Sequence, residues 1–124
     1  MSEQPAQLWR RTLRDALLAA RKDRDSTRVS ALRSALSTID NAETPDGVDL
    51  DAASSGTIAG GGVGLGAAEV ARRVLSDAQI RELVHAEIDK RLTAARDFTA
   101  AGHTERAATL RAEAAVLSDL LGDV

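Results

Sequence analysis

Two histidines, no cysteine and sixteen lysines and arginines make up the reactive inventory of this 124-residue chain. His85 precedes Asp89 by four positions, so a helix would turn both toward one metal ion. Two ligands with no third nearby make a poor site, and two surface polar residues are the simpler reading. His103 falls in a turn, where a polar residue after a helix end is unremarkable. Serines and threonines are plentiful, yet none has a base and an orienting acid arranged around it. Without cysteine there is no thiolate nucleophile, disulfide or cysteine-ligated zinc, which fits a reducing cytoplasm. The carboxylates isolate no pair expected to share a buried site with split acidities. The glycine run Gly60-Gly61-Gly62-Val63-Gly64-Leu65-Gly66 contains Gly62-x-Gly64-x-x-Ala67, a loose match to the dinucleotide fingerprint. That fingerprint works only between strands, and neither Thr57-Ile58-Ala59 nor anything later reads as one. No Gly-Lys-Ser/Thr phosphate loop is present. The expectation is no catalytic constellation, no metal site and no cofactor.

The arginines are the more informative cations. Net charge is −3, but residues 1–41 carry eight Lys/Arg against five Asp/Glu, and residues 42–124 carry eight against fourteen. Arg10, Arg14 and Arg21 share one stripe of the first expected helix, and Arg24 and Arg28 follow it. Such a stripe suits phosphates. It is equally the surface of a solvated helix, and no aromatics interleave it.

The elements that would position these residues are helical. Ser76 with Gln79 forms a capping-box pattern. Ile80, Val84, Ile88, Leu92, Ala95 and Phe98 then recur at helical spacing. Gly102 suits a left-handed C-cap, and Thr104 is expected to cap a second helix with Ala107, Leu110, Ala114, Leu117 and Leu121 on its inner face. A turn at Gly102–His103 sets Phe98 against Ala107, Ala95 against Leu110, Ile88 against Leu117, and Val84 against Leu121. Arg91 falls within the apolar stripe opposite Glu113. The register therefore predicts an Arg91–Glu113 ion pair, the alternative being an arginine that snorkels to solvent.

In the front half, the pattern predicts a helix from about Gln7 to Lys22 with Trp9, Leu13, Ala16, Leu17 and Ala20 inward. Asp25 or Ser26 caps the next helix, which carries Val29, Leu32, Leu36 and Ile39 inward and stops near Asn41. The short turn makes the two helices antiparallel. Trp9 reads as a core anchor. Residues 42–66, with Pro45-Asp46-Gly47 and the glycine run, read as a flexible linker. Only 2% of residues are aromatic, so the core must be built from alanine and aliphatic side chains. The N-terminus lacks a signal-peptide pattern and no segment is long enough to span a bilayer. The fold class expected is all-α: one domain over 1–124, two N-terminal helices, a Gly-rich linker and a long helix–turn–helix hairpin.

In order and spacing, these pieces resemble the GatB/YqeY family. The front half matches in Leu13-Arg14-Asp15-Ala16-Leu17, the charged turn Arg21–Asp25, and Arg28-Val29-Ser30-Ala31-Leu32-Arg33 leading to Asn41. The back half matches in Glu69-Val70, Lys90-Arg91, Arg96-Asp97-Phe98, Ala101-Gly102-His103-Thr104, Arg111-Ala112-Glu113 and Val116-Leu117. The resemblance implies an all-α domain like the tail of the GatB subunit of the tRNA-dependent amidotransferase, where the tail engages tRNA. Stand-alone members carry the label of glutamine-dependent carbon–nitrogen ligase, which belongs to the large complex and its catalytic domains. Two departures bear on this. Relatives often continue through a Leu-Pro into a three-helix domain, where this chain has Leu121-Gly122-Asp123-Val124, and often carry arginine where His103 stands.

The function these features imply is a non-catalytic, cytoplasmic accessory domain whose partner is tRNA, with Arg10, Arg14, Arg21, Arg24 and Arg28 as contacts. The alternative is a protein–protein adaptor or oligomerisation module with no RNA role, its partner being another protein or a second copy. An independent amidotransferase lacks a nucleophile to carry it.

Overall fold

Proline lacks an N–H and has φ fixed near the helical value, so it suits the first position of a helix. Pro5 takes that position in α1 (Pro5–Lys22), two residues earlier than the apolar pattern suggests. The computed structural model describes residues 3–45 and 72–123, and all four regular elements among them are helices: α1, α2 (Ser26–Glu43), α3 (Asp77–Ala100) and α4 (Thr104–Asp123). The expected linker 42–66 begins within α2, and its glycine run lies outside the described residues, as do Glu69 and Val70.

Two helix ends share one solution. After α3, the His103 N–H donates to the Phe98 carbonyl at 2.8 Å and the Gly102 N–H to Thr99 at 3.0 Å. This Schellman closure needs a left-handed residue, and Gly102 supplies it at φ +85°. After α1 the Asp25 N–H reaches Ala20 and the Arg24 N–H reaches Arg21. Here the left-handed position belongs to Arg24, at φ +56°. Both closures reverse the chain within a few residues, giving the hairpins α1–α2 and α3–α4.

Helix starts follow local chemistry. The Asp25 carboxylate accepts the Arg28 N–H at 3.1 Å and caps α2. At α3, the Gln79 N–H donates to Ser76 Oγ while the Ser76 N–H donates to Gln79 Oε1, the reciprocal box expected. Thr104 is the first residue of α4 rather than its cap, and the His103 carbonyl accepts from Ala107.

The α3–α4 interface is the most extensive, and α2 packs on all three other helices. That central place decides its inner face. Ala31, Leu32, Ala35 and Ile39 are buried, while Val29 and Leu36 are half-buried at its margins. Small residues let the neighbouring backbones approach closely. The helix also continues past Asn41 to Glu43, because Ala42 packs on the core and the Glu43 carboxylate is buried.

Two seam positions differ from expectation. On α4 it is Leu120 that is buried, while Leu121 is half-buried. Leu92 is 40% exposed, whereas Arg91 is buried. The buried positions of α3 run Ile80, Val84, Arg91, Ala95, with Ile88 half-buried between them. After Ile88 the inward step is therefore three residues, not four, and the steps from Ile80 to Ala95 stay close on average to the 3.6-residue helical turn. The main core holds Trp9, Leu13, Leu32, Ile39, Ile80, Val84, Leu117 and Leu120, with Ile88 and Val116 packed against it. Ala95 and Ala107 are fully buried yet lie outside that cluster, beyond the Arg91–Glu113 layer. A charged layer thus separates the aliphatic core from an alanine-packed hairpin end.

Candidate nucleic-acid interface

Three side chains of like charge surround an open depression of about 530 Å³ at the α1–α2 reversal. Its lining is Arg21, Arg24, Ser26, Val29, Ser30 and Arg33, with no carboxylate among them. The Schellman turn puts Arg24 between the last turn of α1 and the first of α2. Ser26, Ser30 and Arg33 recur at helical spacing along α2, so the groove has one wall of hydroxyls and guanidinium. All three arginines are exposed. Guanidinium forks and hydroxyls are the groups that hold phosphate oxygens.

The five arginines singled out in the sequence do not form one surface. Arg21 and Arg24 meet in this groove, joined by Arg33, which the α1 stripe could not reveal because it lies on α2. Arg10 is committed elsewhere. Its Nε and Nη2 lie 3.0 and 2.7 Å from Asp40 Oδ1, and it also pairs with Glu43, so it ties α1 to α2. Arg14 lies in a different depression with Glu3, Gln7, Arg10, Arg11 and Asp15. Arg28 is half-buried and faces a third groove, beside Asp119 of α4.

A second charged arrangement crosses three helices. Arg91 donates through Nε to Glu113 at 3.0 Å, and through Nη1 to the Glu87 carboxylate at 2.9 Å and the Glu87 carbonyl at 3.2 Å. The Ser34 hydroxyl of α2 donates to the same Glu87 carboxylate at 3.2 Å. The arginine is therefore paired rather than snorkelling, and one guanidinium serves two carboxylates. Among the described residues no buried side-chain polar atom lacks a partner.

The helix starts are tied by a third set of contacts. The Trp9 indole N–H donates to Asp77 Oδ1 at 2.8 Å, and Arg81 pairs with Asp77 at 2.7 Å. The Trp9 hydrogen bond, then that of Arg81, holds the Asp77 carboxyl below the usual carboxylate range. Arg81 also lies 5.6 Å from the Trp9 ring centroid and donates to the Leu121 carbonyl at 2.9 Å.

His85 and His103 are both exposed. The His103 ring stands edge-on to Phe98 at 6.0 Å. Among the described residues no group of three or more His, Cys, Asp or Glu is placed to hold a metal ion. No described helix is long and apolar enough to cross a membrane. The chain matches no family model, no curated protein and no solved structure.

Proposed function

We propose that this chain is a non-catalytic accessory domain that engages RNA through the groove at the α1–α2 reversal. The observation that carries this reading is the convergence of Arg21, Arg24 and Arg33 on one depression without a lining acid, in a chain whose net charge is −3. An acidic protein that gathers cations at one place builds a local positive field there. The resemblance to the GatB/YqeY family makes tRNA the RNA of choice.

The test is fluorescence anisotropy with bulk tRNA at two salt concentrations. The expected outcome is binding in the range of about 1–100 μM that weakens steeply with salt. The variant R21Q/R24G/R33Q should lower the slope of log K against log salt by about 2–3, one per lost phosphate contact. Absence of binding at low salt would end the reading.

A protein-adaptor role ranks second. Leu8, Leu18, Val74 and Leu92 are large, apolar and exposed, but single exposed apolar side chains need no partner to explain them. Light scattering that reports a stable dimer would favour it.

A further inference from the structure

The groove at the α1–α2 reversal does not stop at α2. Ser30 lines it and also lines a second depression, of about 310 Å³, formed with α3 and α4. That second depression carries Lys90 of α3 and Arg106 of α4. Among its described lining residues the carboxylates are Glu87 and Glu113, and both are bound to Arg91 at 2.9 and 3.0 Å. The acids are thus already answered from within the fold, whereas Lys90 is exposed and Arg106, also exposed, rests over the Phe98 ring at 5.8 Å.

We propose that the two depressions form one track for a single phosphodiester backbone. It runs from Arg21, Arg24 and Arg33 across Ser30 to Lys90 and Arg106, and so spans both hairpins. The inference rests on the RNA reading above and extends it, because it assigns α3 and α4 a direct part in binding. Three features support the path. The junction, Ser30, is a small hydroxyl side chain, exposed and without charge, and it lines both depressions. Cations stand on both sides of it. The carboxylates between them, Glu87 and Glu113, are both held by Arg91, and with Lys90 and Arg106 the cations of the depression outnumber its acids by three to two.

The experiment compares K90Q/R106Q with the charge-matched control R96Q/R111Q, whose arginines lie outside both grooves. Each is titrated against bulk tRNA over a range of salt. K90Q/R106Q should lower the salt slope by about 1–2 and weaken binding, and the control should not. Equal losses in the two variants would reduce the effect to bulk charge and overturn the track. Unchanged binding by K90Q/R106Q, with loss in R21Q/R24G/R33Q, would confine RNA to the first groove: the track fails while the RNA reading stands. If the wild-type chain does not bind, both fail.

Loss of the Arg106–Phe98 contact could loosen the hairpin, so the wild-type protein provides the second measurement. Hydrogen exchange with and without tRNA should show added protection in α2 around Ser30 and in α3 around Lys90. Protection confined to the α1–α2 reversal would overturn the proposal.

Discussion

The indole N–H of Trp9 donates to the carboxylate of Asp77 at 2.8 Å across 68 positions of sequence, and this bond fastens the first helix to the start of the third. Trp9 is fully buried, whereas the Asp77 side chain is 51% exposed. The bond therefore sits at the edge of the core, where solvent reaches the acceptor and lets it titrate.

Asp77 is more acidic folded than unfolded, chiefly through the Trp9 hydrogen bond and then Arg81. Its contribution is present above the unfolded carboxylate pKa and is lost as pH falls through the lower, folded value. Exposure keeps the magnitude small. Trp9 is the only tryptophan, so its fluorescence should shift in that acid window. In D77N, which retains an acceptor but no charge, stability should lose this pH dependence. An unchanged acid transition in D77N would remove Asp77 from the account.

Arg91 and Glu113 should respond unequally to removal. Arg91→Ala strands two carboxylates, Glu87 and Glu113, and is expected to cost about 3 kcal/mol or more. Glu113→Ala leaves Arg91 its contacts to Glu87, and should cost about 1–2 kcal/mol. Leu92→Gln, one residue along, should fall within about 0.5 kcal/mol of wild type. Urea unfolding of the three variants checks the order. A large loss in L92Q would mean that Leu92 does belong to the seam.

Arg24 holds a left-handed backbone conformation at φ +56°, which costs a non-glycine residue about 1 kcal/mol. Glycine removes that strain but has more freedom to lose on folding. Arg24→Gly should therefore leave thermal stability equal or slightly raised while weakening tRNA binding. Such a divergence separates a binding role from a folding role. A variant that melts earlier and binds normally would reverse the assignment.

The Arg73 N–H donates to the Glu43 carbonyl at 2.9 Å, so the chain returns to the end of α2 after residues 44–72. Glu43 also pairs through its carboxylate with Arg10 and, at 3.5 Å, with Arg72. Replacing residues 46–71 by a Gly/Ser link of about six residues should preserve the fold. A shorter closed loop should raise stability by about 1 kcal/mol. Calorimetry would decide it, and loss of a cooperative melt would show that the segment takes part in the core.

What was legible in the sequence was what neighbours along the chain decide. The Ser76–Gln79 box, the Asp25 cap, the left-handed Gly102 and the antiparallel hairpins all follow from interactions within a few residues. The Arg91–Glu113 pair was also within reach, because a turn fixed at Gly102–His103 converts position into register. Leu92 was misplaced because it and Arg91 are neighbours on a helix. Which of them faces inward depends on where the three-residue step falls among the four-residue steps, and that is set by how the neighbouring helices pack on α3.

The candidate interface shows the same division. The residues from Arg21 to Arg28 were recognisable as a cationic stretch. Only helix packing could engage Arg10 with Asp40 and Glu43, place Arg28 on a groove that Asp119 also lines, and bring Arg33 to the groove of Arg24. Local hydrogen bonds and hydrophobic period determined four helices and their reversals from sequence. The meeting of charges from different helices was decided by tertiary structure, since each guanidinium's neighbours depend on how the helices rotate to bury Trp9, Leu32 and Ile80.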